Sequence, residues 1–191
     1  MEIYLLRHTA VNNPHKLCYG QSEIDLATDW ANHFTALKQK MGPSLRGALF
    51  YSSPYQRCKQ LAGFLSDDQF QIDSRLSEMH FGDWEQCLWT DIDQPVLNAW
   101  MADFANYQVP GGESFVQMHG RCTQFWDELL ALPSDRIVVV THAGVIRSLL
   151  AYILSIPLEK TFQLEVEYSS VTKITVAKQQ GCYQTVNYIN R

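Results

Sequence analysis

The chain has 191 residues, 46% of them hydrophobic and 18% charged, with a formal net charge of -5. That length supports one core, so a single domain over 1-191 is expected, and an acidic chain with scattered lysines and arginines speaks against a nucleic-acid partner. No apolar stretch approaches the roughly 20 residues of a membrane-spanning helix, and Glu2 with Arg7-His8 breaks the opening apolar run too soon for a signal peptide, so a cytoplasmic protein with no membrane partner is expected.

The first element is a strand, Ile3-Tyr4-Leu5-Leu6, ending at Arg7-His8. A polar loop from Asn12 to Gln21 precedes a helix whose residues Trp30, Phe34, Leu37 and Met41 recur at helical spacing, and Gly42-Pro43 stops it. A second strand, about Ala48 to Tyr51, runs into Ser52-Ser53-Pro54, where Ser53 is placed to cap a helix, Pro54 suits its first position and Gln56 completes a capping box. Arg57 then falls in that helix's first turns. A short strand near Phe70 to Ile72, an aromatic-rich connection from Leu76 to Trp89 and a helix around Val96 to Ala105 follow. After Gly111-Gly112-Glu113, Ser114 and Gln117 form another capping box for a long helix to about Leu132. The fourth strand, Ile137 to Val140, ends at Thr141-His142 and feeds a helix that stops before Pro157. A hairpin closes the chain, Val171 to Ala177 and Tyr183 to Ile189 around a turn through Gln180-Gly181. Strands alternating with helices predict a three-layer α/β/α sandwich with a mostly parallel central sheet.

In such sheets ligands bind beyond the carboxyl ends of the strands, where Arg7, His8, Arg57 and His142 would converge. Arginine presents a fixed fork of donors suited to phosphate, and imidazole can serve as nucleophile, acid or base near neutral pH. Phosphoryl chemistry is therefore expected. Alone, each residue has a plainer reading: His8 as a hydrogen-bonded strand-end histidine, Arg57 as a surface helix arginine, His142 as a core or capping residue. Metal chemistry is not expected, because His15 and Cys18 are close in sequence but lack a further ligand set. The five cysteines, widely spaced and without CxxC pairs, read as free thiols in a reducing compartment.

Five ordered pieces resemble the histidine phosphatase superfamily, the phosphoglycerate-mutase-like enzymes: Leu6-Arg7-His8; Tyr51-Ser52-Ser53-Pro54 with Arg57; Arg75-Leu76-Ser77-Glu78 with Phe81-Gly82-Asp83-Trp84-Glu85; Pro110-Gly111-Gly112-Glu113-Ser114; and Thr141-His142-Ala143-Gly144-Val145. The resemblance implies the phosphoglycerate-mutase-like fold, His8 as nucleophile, and Arg7, Arg57 and His142 as the phosphate pocket. It also implies Glu78 as general acid, with Asp83 and Glu85 as rivals; Glu85 also reads as a helix start or loop brace. The chain departs from the commoner family pattern at Thr9, Val11, Gln86 and Ala143, residues that line the phosphate shell rather than charge it.

Arg7-His8-Thr9-x-Val11 followed by Cys18-Tyr19-Gly20-Gln21-Ser22 is similar to the α-ribazole-5'-phosphate phosphatase subgroup, which acts in assembly of the lower ligand of cobalamin. That similarity implies a small-molecule phosphomonoester substrate, no cofactor, and substrate contacts from Tyr19, Gly20, Gln21 and Ala143 as well as Arg7, Arg57 and His142. Tyr19, Phe81, Trp84, Trp89, Phe104 and Tyr107 could give the flat walls such a substrate needs, or could simply pack. A mutase or a broad sugar-phosphate phosphatase on the same phosphohistidine is the alternative; the segment from Glu85 to Pro110 is short beside the family's mutases, which favours hydrolysis over mutase activity. A phosphate-binding module without catalysis would need neither His8 nor Glu78.

Overall fold

The computed structural model describes residues 1–178 and 182–191. Its sheet has six strands in the order β3-β2-β4-β1-β5-β6. Strands β1 (Glu2–Arg7), β2 (Leu49–Ser52), β3 (Gln71–Ile72) and β4 (Arg136–Thr141) pair in parallel, and β5 (Val171–Ala177) and β6 (Tyr183–Tyr188) add an antiparallel edge. The sheet is thus mixed: the expected parallel part runs from the β3 edge to β1, and the antiparallel pair forms the other edge. The turn expected through Gln180-Gly181 lies outside the described residues.

The apolar runs of β1 and β4 are continuous because helices cover both faces of the sheet. Side chains alternate between two cores. Ile3, Leu5, Ile137 and Val139 pack with α4 (Phe115–Leu130) and α5 (Ala143–Leu154), while Tyr4, Leu6, Val138 and Val140 pack with α1 (Trp30–Met41) and α2 (Gln56–Ser66). The result is the three-layer α/β/α sandwich that the alternation of elements predicts. Gly42, at φ 45°, ends α1 in a backbone conformation that favours glycine. The predicted Ser114–Gln117 capping box is present at the start of α4.

Two boundaries depart from the sequence reading. The helix expected from Val96 to Ala105 is α3, Gln94–Ala102, with Pro95 in its first turn. Ser53 does not cap α2, which starts only at Gln56. Its hydroxyl is instead held by His142, and the carboxylate of Glu23 accepts the Gln56 backbone N–H at 3.1 and 3.2 Å.

Candidate active site

β1 and β4 end side by side, with Arg7 opposite Thr141, so the next residue of each chain segment is delivered to one place: His8 and His142, ring centroids 5.1 Å apart. Both rings are almost wholly buried. His8 Nδ1 lies 2.8 Å from the Thr9 carbonyl. A carbonyl only accepts, so Nδ1 carries the hydrogen and Nε2 is left with its lone pair. Burial first, then the positive charges of Arg57 and Arg7, hold the pKa of His8 well below the usual histidine range, so the ring is neutral at pH 7. His142 is likewise depressed, by burial and then by His8 and the arginines. Its Nδ1 accepts from Arg57 Nε at 3.4 Å, so the Nε2 hydrogen points to Ser53 Oγ, 2.7 Å away.

Two arginines flank this pair. Arg57 is fully buried; its Nη1 donates to the Ser22 carbonyl at 2.8 Å and its Nη2 to the Gly20 carbonyl at 2.5 Å. Arg7 donates from Nη1 to the Val166 carbonyl at 2.6 Å and lies 3.6 Å from the Tyr168 ring centroid, with its buried Nε unpartnered. Among the described residues neither forms an ion pair with a carboxylate. Two uncompensated guanidinium groups beside neutral imidazoles make a strong anion site within an acidic protein. Above them, Tyr19 and Tyr168 touch through their hydroxyls at 2.6 Å.

Glu78 follows a one-turn 3₁₀ helix, Ser74–Leu76, whose N-cap is Asp73. Its carboxylate accepts the backbone N–H of Met79 at 3.0 Å and of Gly144 at 3.1 Å, the latter in the first turn of α5. A β-carbon on Gly144 would overlap the Glu78 carboxylate, so glycine is needed there for close approach. The rivals stand elsewhere. Asp83 is exposed, and Glu85 braces the loop by accepting from Gln21 N, Ser22 N, Ser22 Oγ and Phe81 N. Burial works to raise the pKa of Glu85, but hydrogen bonds from Ser22, Gln21 and Phe81 outweigh it and hold the carboxyl below its ordinary range.

A cavity of about 300 Å³ opens on these groups, lined by Arg7, His8, Tyr19, Glu78, Ala143 and Gly144. Its outer wall is aromatic: Phe81, Trp100, Phe104, Phe115 and Phe162. Of the expected substrate contacts, Tyr19 and Ala143 line the cavity, whereas Arg57 and His142 are fully buried next to His8. Gly20 and Gln21 are supports instead: the first gives its carbonyl to Arg57, and the second donates from its side chain to the Glu78 carbonyl at 3.0 Å. Phe81 and Phe104 serve as walls, but Trp84 and Trp89 pack behind them around Trp100, and Tyr107 is not in the lining. The sequence reading missed Trp100, Phe115, Phe162, Tyr168 and Arg147. Helical spacing alone could have found Arg147, which lies four residues beyond Ala143 on the same face of α5. His15 is exposed and Cys18 buried, and among the described residues no cluster of three or more His, Cys, Asp or Glu is placed to hold a metal ion.

Residues 3–189 match the family model of the histidine phosphatase superfamily (branch 1). The adenosylcobalamin/alpha-ribazole phosphatase of Escherichia coli (strain K12) is 30% identical, over 98% of this chain and 90% of that protein. The glucosyl-3-phosphoglycerate phosphatase of Mycolicibacterium vanbaalenii is also 30% identical, over 82% of this chain and 76% of its own. Among solved structures, the alpha-ribazole phosphatase from Shigella flexneri superposes with a TM-score of 0.90 at 24% identity, covering 100% of this chain and 96% of the other, a likeness of fold.

Proposed function

The chain belongs to the histidine phosphatase superfamily, and from that membership we propose a metal-independent phosphomonoesterase that works through a phosphohistidine at His8, with α-ribazole 5'-phosphate as its preferred substrate. The observation that carries this reading is the His8–Thr9 hydrogen bond, which leaves Nε2 unprotonated beside two arginines that, among the described residues, pair with no carboxylate. In the first step Nε2 attacks phosphorus, the bond from phosphorus to the ester oxygen breaks, and protonated Glu78 gives its hydrogen to the departing alkoxide. Water then attacks the phosphohistidine; Glu78 takes the water proton, the N–P bond breaks, and inorganic phosphate leaves with His8 restored. Arg7 and Arg57 hold the nonbridging oxygens as charge moves, and His142, with its hydrogen on Ser53 Oγ and its Nδ1 on Arg57 Nε, keeps the Arg57 fork in place. Arg57 keeps hydrogens for this, since each Nη uses one on a carbonyl and has a second.

The substrate assignment is supported by the cavity's form and by the relatives. Flat aromatic walls beside a phosphate site suit a benzimidazole riboside, and two of the similar proteins are phosphatases of alpha-ribazole. Trapping the intermediate is the test. Brief reaction with radiolabelled α-ribazole 5'-phosphate, in the presence of a chelator, should label the protein with acid-labile, base-stable phosphate. His8→Ala should remove both label and turnover while the circular dichroism spectrum is retained. Label that survives the substitution, or activity that needs a divalent metal, would overturn the mechanism, and faster hydrolysis of simple sugar phosphates would overturn the substrate.

A further inference from the structure

Arg147 stands in the aromatic wall with most of its hydrogen-bonding capacity unused. It lies one helical turn beyond Ala143, so α5 aims both residues at the cavity. Its Nε donates to the Leu164 carbonyl at 2.9 Å, which fixes the plane of the fork, and its guanidinium lies 5.1 Å from the centroid of Phe162. Among the described residues Nη1 and Nη2 have no protein acceptor, and no carboxylate pairs with the charge.

Arg121 shows what a structural arginine looks like in this protein. Its fork is consumed by Glu113 and by the carbonyls of Arg75, Ser77 and Glu78. Arg147, by contrast, holds a half-buried charge against apolar rings, where an unsatisfied cation is costly unless a ligand oxygen meets it. The transferring phosphate is served by Arg7 and Arg57 at the β1 and α2 ends of the site. The place of Arg147 beside Phe162 in the aromatic wall assigns an oxygen that reaches it to the leaving group.

We propose that Arg147 is the specificity-determining residue of this cavity, donating from Nη1 and Nη2 to hydroxyl or carboxylate oxygens that the leaving group carries a few bonds from the ester. The aromatic walls take the flat part of the same group. The substrate class is then the phosphomonoester of an oxygen-rich alcohol bearing a planar ring, as in a riboside 5'-phosphate, rather than of a plain aryl or alkyl alcohol. This inference rests on the phosphomonoesterase reading above.

Arg147→Met keeps the apolar stem of the side chain and removes the fork; Arg147→Lys keeps the charge. Steady-state kinetics on α-ribazole 5'-phosphate and on phenyl phosphate, whose leaving group has a ring but no further oxygens, separate the roles. Arg147→Met should lower the ratio of kcat/KM for the riboside to that for phenyl phosphate on the order of tenfold to a hundredfold, the worth of a charge-assisted hydrogen bond. The loss should sit in KM rather than kcat, and Arg147→Lys should recover part of it. An equal fall for both esters would mean that Arg147 serves the phosphate or the fold, and an unchanged ratio would mean that it touches no leaving group. Either result overturns this inference alone. Wild-type protein that hydrolyses neither ester would overturn the phosphomonoesterase reading itself.

Discussion

Glu78 is placed by two backbone N–H groups, one of them available only because residue 144 has no side chain. If it protonates the leaving oxygen, Glu78→Gln should slow a ribose 5'-ester on the order of 10² to 10⁴, the usual worth of general acid catalysis. p-Nitrophenyl phosphate should lose far less, because its phenolate departs unaided, and labelled phosphohistidine should accumulate when water activation is also lost. Gly144→Ala should give a milder form of the same leaving-group dependence, since the new methyl group displaces the carboxylate without removing it. Asp83→Asn, at an exposed position, should leave both rates alone. Glu85→Gln loosens the loop that holds Arg57, so it should slow both esters together. Equal losses for both substrates in Glu78→Gln would take the proton away from that residue.

α4 does for the segment from Arg75 to His80 what a neighbouring strand would do elsewhere. Arg121 donates to three of its carbonyls, and Glu113 both pairs with Arg121 and accepts the His80 backbone N–H at 2.9 Å. Arg121→Met removes those bonds and strands the Glu113 carboxylate, so it should destabilise the protein by about 3 kcal/mol in urea unfolding. Activity on poor leaving groups should fall more than activity on p-nitrophenyl phosphate, because Glu78 drifts when its backbone is no longer held. Loss of stability without that asymmetry would confine Arg121 to the fold. None of this wiring was legible in the sequence, since it joins a coil to a helix face through carbonyls that no side-chain pattern encodes. Strands were legible because burial on both faces leaves continuous apolar runs, and the Ser114 cap because both of its partners are local. Ser53 misled for the opposite reason: its hydroxyl is claimed by a histidine from another strand end, and long-range pairing overrode the local cap. His8, Arg7, Arg57 and His142 could be read at strand ends and helix starts, whereas Trp100 and Phe115 looked like ordinary helix residues until packing turned them toward the cavity.

At the scale of the whole molecule, two buried neutral histidines tie stability to pH. The pKa values of His8 and His142 are depressed in the folded protein, while in the unfolded chain each titrates near the ordinary value of about 6.5. Below that value the unfolded state binds protons that the folded state refuses, so stability falls as pH drops through about 6.5, by up to about 1.4 kcal/mol per pH unit for each histidine. Above it neither histidine contributes a slope. Urea midpoints measured from pH 8 to 5 should be flat at first and then decline, with a shallower decline in His8→Ala; a flat profile down to pH 5 would mean that the buried rings accept protons freely. The sheet order has another consequence. β1, which carries Arg7 and leads into His8, lies between β4 and β5, so Glu2 is paired with Arg136 on one side and Thr175 on the other. Nothing near it in the chain can hold it. During synthesis β1 stays unpaired until β4 and β5, far downstream, are made, so a shortened chain that stops ahead of β4 would contain His8, the proposed nucleophile, yet have no site in which to place it.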